Sequence, residues 1–412
     1  MIAESSARTE SVDVTVVGAG IVGLATALHL LEQEPALSVL VVDKESEVGA
    51  HQTTHNSGVI HRGIYYAPGS LKAKLCTEGA RRLTAFCDTR GIPYRLIGKL
   101  IIASDESELP ALRDLHRRGE ANGVAGLRWM DADEIRDIEP HAIGAAALHS
   151  PSTGIVDFGS VASAYGTEVL RRGGRMRLGA EVTRLRERED HVEVTAGGVR
   201  HRAAVVVTCA GLQSDRLASM TEPAARPELR IVPFRGDYYF LRPDRRRLVH
   251  GLIYPVPDPR FPFLGVHFTP RVDGSVWLGP NAVLAFAREG YRLSDVSVRD
   301  LAATLGYPGF WRLAIRHWQT GAAEMWRDIS RRAFAKSLQR YVPAVRTEDL
   351  VGRSSGVRAQ AVGSDGSIVD DFAISGDGRA IHVRNAPSPA ATSSLAIGEL
   401  LGTRVLERLA GR

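Results

Sequence analysis

Residues 13–43 read DVTVVGAGIVGLATALHLLEQEPALSVLVVD, and the order of residue types in this stretch decides the fold. Residues 13–17 are a short β-branched run of the kind buried on both faces of a parallel sheet. Gly18, Gly20 and Gly23 follow at once in the spacing GxGxxG. Gly18 permits a tight turn, Gly20 lets the backbone approach a pyrophosphate with no Cβ in the way, and Gly23 lets a helix pack closely on the strand. That helix, residues 21–31, opens at Ile21 and Val22 and aims its N-terminal N–H groups at the phosphates. Residues 39–42 form a second buried strand. It ends at Asp43, about twenty residues past the glycines, where a carboxylate accepts hydrogen bonds from a ribose. A lone GxGxxG is a weak signal, but strand, helix, second strand and terminal acid in register define a dinucleotide site. The motif does not by itself separate FAD from NAD.

A chain of 412 residues is too long for one small core and predicts two domains. Its 44% hydrophobic and 24% charged content is that of an ordinary soluble globular protein. The formal charge is +5, yet the arginines are scattered through RRLTAFCDTR, LRRGGRMRLG and RPDRRRL. No basic block is interleaved with aromatics, so nucleic acid is not an expected partner. Some attraction to anionic substrates or to an anionic membrane surface is expected. Cys76, Cys87 and Cys209 have neither CxxC spacing nor a secretory context, which predicts reduced, partly buried thiols in a cytoplasmic protein. The N-terminal MIAESSARTE has no apolar signal core. No apolar run approaches the roughly twenty residues that span a bilayer. Membrane contact, if made, is expected to be peripheral and at the inner face.

Farther along, KESEVGAHQTTHNSGVIHRGIYYAPGSLKAKLC is dense in His, Thr, Asn, Ser and Gly, which suits a polar loop around a ligand. Residues 71–87 have helical apolar spacing, and 88–155 alternate short strands such as LIGKLIIAS with the charged helix ELPALRDLHRRGEANG. A helix at 158–172 stops at Gly173 and Gly174. The strands MRLGAEVTRLRER, HVEVTAG and AAVVVTCAG then return the chain to the nucleotide fold, and Ala210 and Gly211 allow close approach to a cofactor. Segment 228–342 leaves again through RIVPFRGDYYFL and a helical stretch to Tyr341. The last section is strand, turn, strand, loop and a long helix from Ser393. There is no repeat and no low-complexity linker, so the two domains are expected to interleave.

That interleaving resembles the FAD-dependent D-amino-acid-oxidase-like superfamily, and more narrowly the L-2-hydroxyglutarate oxidase and dehydrogenase family. The resemblance rests on HQTTHNSGVIHRGIYYAPGSLKAKLC at 51–76, VPFRGDYY at 232–239, IYPVPDPRFPFLGVHFTPRVDG at 253–274, GPNAVLAFAREGY at 279–291, GVRAQAV at 356–362 and HVRNAPSPAATSSLAIG at 382–398. It implies an α/β, Rossmann-like FAD-binding domain in 1–87, 156–227 and 343–412. A substrate domain with a mixed or antiparallel sheet is implied in 88–155 and 228–342. It also implies FAD rather than NAD, a 2-hydroxy acid as substrate, and O2 or a quinone as electron acceptor. An amine, an amino acid or another hydroxy acid is the alternative substrate on the same fold. The family usually has Glu in place of Asp43 and Gly in place of Thr54.

Oxidising a 2-hydroxy acid requires a base for the hydroxyl proton and cations for the carboxylates. His61 is the first candidate for the base and His267 the second. Arg235, Arg358 and Arg271 are the carboxylate candidates, because a guanidinium forks onto a carboxylate; Arg235 and Arg358 are favoured, since an unpaired charge among strand residues is costly. Tyr65, Tyr66, Tyr238 and Tyr254 have hydroxyls to offer, with Tyr254 placed in the catalytic set, whereas Lys72 and Lys74 are expected on a helix surface. For FAD, the candidates are Gly18, Gly20, Ile21, Val22, Gly23, Asp43, Lys44, His51, Thr53, Asn56, Ser57, Gly58, Val182, Ala210, Gly211, Gly356, Arg358, Asn385, Ala386 and Pro387. Asn56, Ser57 and Gly58 are expected at the pyrophosphate and flavin edge. The N-terminus of the last helix is expected to stabilise negative charge on the flavin ring. No metal-ligand spacing occurs.

Overall fold

The computed structural model describes residues 10–222, 229–258 and 264–411. The first nine residues of the polar N-terminus, the expected domain junction at 227/228, residues 259–263 and residue 412 lie outside them.

The strand–turn–helix reading of the opening stretch holds, as Glu10–Val17, Ile21–Gln33 and Val39–Val42. Five parallel strands stand side by side in the order Arg175–Arg177, Val39–Val42, Glu10–Val17, Val199–Thr208 and Ala380–Asn385. An antiparallel hairpin, Val182–Glu187 with Val192–Ala196, continues from the N-terminal half of Val199–Thr208, and Ala373–Ser375 covers the far edge, giving eight strands. The register pairs Val17 with both Val42 and Thr208. Three strand ends therefore finish level, at the edge where open parallel sheets bind ligands.

The helices Ile21–Gln33, Leu71–Arg90, Phe158–Arg171 and Ser394–Ala410 cover one face through Leu24, Leu28, Leu83, Val161, Tyr165 and Leu401, all buried. Their apolar positions recur at helical spacing, which lets each helix bury one stripe on the sheet. On the other face Val12, Leu40 and Val206 meet Val182, Leu185 and Val194 of the hairpin.

A second sheet of nine strands lies beyond those strand ends. Its order is Val283–Leu284, Leu229–Leu241, Val276–Gly279, His267–Pro270, Leu252–Pro255, Lys99–Ala103, Ala146–Ser150 and Arg128–Asp131, with Leu350–Gly363 on the free side of Leu229–Leu241. Among the described residues of this sheet, only the Leu252–Pro255 and Lys99–Ala103 pair is parallel. Leu350–Gly363 departs from the sequence expectation, which grouped it with the FAD-binding part. Its ladder runs from Leu229–Gly363 to Leu241–Leu350, and no local pattern in a strand specifies so distant a partner. Val59–Ile60, Gly154–Val156 and Tyr94–Leu96 make a small third sheet. The helical stretch to Tyr341 is four helices, Val298–Leu305, Pro308–Arg316, Trp318–Ile329 and Arg331–Gln339. The last of these seats Phe334 edge-on against Tyr239 of the sheet.

Candidate active site

Between the level strand ends and the second sheet lies a cavity of about 970 Å³, at the upper end of the usual range for ligand sites. Its first half is built by glycines. Gly18 has φ +109°, and a Cβ there would stand 2.4 Å from the Cys209 carbonyl oxygen. At Gly23 a Cβ would stand 2.0 Å from the Gly18 oxygen, so that glycine serves the packing of helix on strand and does not line the cavity. A Cβ on Gly20 would meet only the Thr53 hydroxyl, at 3.5 Å. The space over Gly20 is thus open for a phosphate. Ile21 and Val22 line the same wall, with the Ile21 N–H held by the Thr53 hydroxyl at 3.1 Å.

Asp43 sits at the tip of its strand, in the cavity wall. Its two oxygens accept the backbone N–H groups of Ala19 and Glu45 at 2.6 and 2.9 Å, which fixes the carboxylate while leaving lone pairs for a ribose. Lys44 pairs with Glu289 at 2.9 Å, with Glu45, and with His51 at 2.9 Å, and His51 in turn meets the Tyr291 hydroxyl. Glu45, His51 and Glu289 are close enough together to hold a metal ion. The Lys44 ammonium already supplies the cation there. Thr54 donates its hydroxyl to the Gly49 and His51 carbonyls, so the loop closes without the glycine usual at this position.

Several expected cofactor contacts have other duties. The Asn56 amide donates to the Gln52 and Thr53 carbonyls while its oxygen accepts the Gly58 N–H. Asn56 and Ser57 line the cavity, but Asn56 and Gly58 shape the loop with their own polar groups, and Gly58 does not line it. Asn385 likewise holds the Val369 and Asp371 carbonyls. Val182, Ala210, Gly211, Gly356, Ala386 and Pro387 all line the cavity, and residues 386–392 lead directly into the helix Ser394–Ala410.

The second half of the cavity is walled by Tyr238, Tyr254, His267, Gly356 and Arg358 from the nine-stranded sheet, with His61 and Lys72 opposite. His267 Nδ1 donates to the Gly265 carbonyl at 2.9 Å. A carbonyl only accepts, so the proton belongs on Nδ1 and the Nε2 lone pair is left over. The ring stacks on Tyr254 with centroids 3.8 Å apart. Burial, with the charges of Lys99 and Arg358 against the raising effect of the Gly265 bond, pushes His267 down to about 3. His61 takes the Thr392 hydroxyl on its backbone N–H and sets Nε2 3.3 Å from the Ser388 hydroxyl. Burial first, then Lys99, His267 and Lys72, hold it well below the ordinary histidine range. Both imidazoles are therefore neutral.

Arg358 lines the cavity, and its Nη1 donates to the Asn281 carbonyl at 3.2 Å. Arg235 does not line it, contrary to expectation. It is 1% exposed, donating Nε to Asp237 at 2.9 Å and Nη2 to Asp328 at 3.0 Å, with Asn281 bridging Asp328 and the Asp237 N–H. Burial and the neighbouring Asp328 carboxylate push Asp237 up. Losing one member of such a buried network costs about 3–5 kcal/mol, so Arg235 holds the sheet to the helix Trp318–Ile329. Arg271 is also engaged, donating to the Asn56 carbonyl and lying over the Trp277 ring.

Two lysines change the picture. Lys74 is exposed as expected, but Lys72 is buried, pairs with Asp370 at 2.9 Å and reaches the cavity. The helix starting at Leu71 turns its first residues inward because Asp371 accepts the N–H groups of Leu71 and Lys72. Lys99, absent from the sequence candidates, is 2% exposed, with Nζ 4.2 Å from the Tyr254 ring centroid and 5.2 Å from that of Tyr65. Its signal was a single charge in an otherwise apolar strand.

A glycine-cradled dinucleotide sheet, sharing one cavity with a second sheet that supplies neutral histidines and a guanidinium, defines a nucleotide-dependent oxidoreductase. A family model described as FAD dependent oxidoreductase matches residues 13–404. Proteins named L-2-hydroxyglutarate dehydrogenase are similar over nearly the whole chain. The one from Nematostella vectensis, named as mitochondrial, is 50% identical over 97% of this chain and 91% of its own length. That from Indibacter alkaliphilus is 46% identical over 96% and 99%, and that from Escherichia coli K12 is 43% identical over 97% and 94%. Among solved structures, L-alpha-glycerophosphate oxidase from Mycoplasma pneumoniae with FAD bound has a TM-score of 0.77 at 22% identity, covering 97% of this chain and 95% of that one. Glycine oxidase from Geobacillus kaustophilus has a TM-score of 0.72 at 18% identity, with the same coverage, and these two show the fold alone. The chain belongs to the FAD-dependent oxidoreductase family, and within it to the group containing the L-2-hydroxyglutarate dehydrogenases. Its cofactor is FAD, and the open face of Gly20, the fixed Asp43 carboxylate and the helix entry at 386–392 fit that molecule.

Proposed function

We propose that the protein oxidises L-2-hydroxyglutarate, or a close 2-hydroxy acid, to the 2-oxo acid. When bound, FAD would supply the two-electron acceptor for the hydride lost from the α-carbon. Gly18, Gly20, Ile21, Val22 and Asp43 would hold its nucleotide portion, and residues 386–392 its ring. The observation carrying this reading is His267, a neutral imidazole with its tautomer set by Gly265, in the wall of a cationic cavity. Arg358 holds a substrate carboxylate. His267 Nε2 accepts the hydroxyl proton as the carbonyl forms. An anionic substrate offsets the nearby positive charges, which raises the proton affinity of His267 at the moment it is needed. The fixed tautomer supports His267 ahead of His61 as the base, the reverse of the order reached from sequence.

The sheets support a division into an FAD-binding part, 1–87, 156–227 and 364–412, and a substrate part, 88–155 and 228–363. The relatives are named dehydrogenases, which favours an acceptor other than O2 and, of the two acceptors expected, leaves a quinone.

Anaerobic mixing of the yellow holoenzyme with L-2-hydroxyglutarate tests the reading. The expected result is bleaching of flavin absorbance by the L-diacid and not by D-2-hydroxyglutarate, glycerol 3-phosphate, sarcosine or glycine. Bleaching by an amine alone overturns the substrate. In the same assay, His267→Gln is expected to slow reduction by roughly 10²–10⁴-fold, the range for a lost general base. A smaller effect than that of His61→Gln reverses the two roles.

A further inference from the structure

Between the edge strand Val283–Leu284 and the helix Val298–Leu305, residues 286–297 leave the second sheet and cross to the nucleotide part. The Ser297 N–H donates to the Phe286 carbonyl at 3.1 Å, so the two ends meet and the segment is one closed loop. Two sets of side chains tie it down. On one flank Arg288, 5% exposed, forks onto the Asp215 carboxylate and donates to the Leu212 carbonyl at 2.7 Å. On the other, Glu289 accepts from Lys44 and from Gln213, each at 2.9 Å. Beyond it the Tyr291 hydroxyl lies 2.9 Å from His51 Nδ1, and the Tyr291 ring stacks on His55 with centroids 4.1 Å apart. Each of these ties joins a residue of the substrate part to one of the nucleotide part.

We propose that the loop 286–297 is a clasp over the adenosine end of the FAD site, which lifts when the cofactor enters or leaves. Three observations place it there. Glu289 lines the cavity together with Lys44, Gln213 and His51, and Lys44 follows Asp43, whose carboxylate has lone pairs for a ribose. The loop thus walls the nucleotide half of the cavity, whereas Tyr254, His267 and Arg358 wall the other. Its outer side, with Arg292, Leu293, Ser294 and Val296, is exposed, so the loop is held from beneath. It has no helix or strand of its own, and Arg288 and Glu289 are adjacent, so the two flanks part together as one local opening. A buried charge pair across that opening makes lifting costly and infrequent. The substrate part thereby governs how long FAD stays bound, through contacts that the chemical step does not use. The inference rests on FAD as the cofactor and is independent of which substrate is oxidised.

The test is the rate at which the diluted holoenzyme releases FAD, read as the rise in flavin fluorescence, with the rate at which the full chain stripped of FAD takes it up again. Arg288→Gln and Tyr291→Ala change residues that hold the loop but do not line the cavity. Each is expected to speed release roughly tenfold, and to speed uptake as well, because a lifted clasp clears one path for both directions. Tyr291 is only half-buried, so its variant carries the test where the loss of Arg288 prevents folding. Faster release together with faster uptake in either variant supports the clasp. Unchanged release in every variant that yields a folded holoenzyme overturns it. Faster release with unchanged or slower uptake also overturns it, since the loop then only adds affinity for bound FAD or braces the two parts against each other.

Discussion

Lys99 shows how one side chain sets the pH response of the cavity. It lies in a strand of five buried residues, and among the described residues no carboxylate pairs with it. Burial pushes its ammonium down to about 7. Below that pH it adds positive charge behind Tyr254, beside His61 and His267, and above it that charge is gone. An anionic substrate is then drawn less strongly, so kcat/KM is expected to fall as pH rises through about 7. Lys99→Met is expected to lose that alkaline limb, with kcat/KM at pH below 7 reduced roughly tenfold, the effect of about one charge interaction. The stability sign is opposite. The unfolded amine titrates near 10.4, so the cost of burying the ammonium is full below about pH 7 and fades as pH rises toward that value. The variant should be less active yet melt higher in mildly acidic buffer. A pH–rate profile with a parallel thermal melt checks both halves, and an unchanged alkaline limb would sink the assignment.

Among elements, what was local was legible. The opening strand, glycine turn and helix were readable because periodicity and glycine spacing act within a few residues, and the structure differs by starting the strand three residues earlier, at Glu10, and by extending Ile21–Gln33 by two residues. Gly23→Ala tests that junction. Its Cβ would stand 2.0 Å from the Gly18 oxygen, a backbone atom that cannot swing aside. The expected outcome is a protein purified with little or no flavin and a lowered melting temperature, read from the flavin-to-protein absorbance ratio and a melt. Retained flavin at full occupancy would show that the helix shifts freely. The polar loop was placed correctly around the cavity, but residue type did not reveal who uses each polar group. Asn56 and Asn385 have the chemistry of ligands and spend it on backbone carbonyls. Arg235 looked like a carboxylate binder because only Asp237 is near in sequence, whereas Asp328 arrives from a distant helix. Lys72 looked like a surface residue because the acid beside it, Asp370, is remote in sequence.

Across the molecule, the α/β class, the mixed second sheet and the interleaving of the two were legible from the order of segments, since the chain visibly leaves and re-enters one pattern. Which strand pairs with which was not, because pairing is decided by partners far apart in the chain. The exposed Ile315, Trp318, Trp326 and Ile329 were written in the sequence as well, in WRLAIRHW and EMWRDI. Without burial they read as an ordinary helical stretch, since only the fold shows which side of each helix lacks a neighbour. The strand Leu350–Gly363 lies along Leu229–Leu241, and Ala380–Asn385 along Val199–Thr208. Each of these two ladders thus waits for a strand synthesised long after its partner. Until those strands emerge from the ribosome, the edges of Leu229–Leu241 and Val199–Thr208 stand open in the nascent chain. A chain that stalls before residue 350 keeps both edges uncovered and is expected to be a substrate for chaperones and proteases.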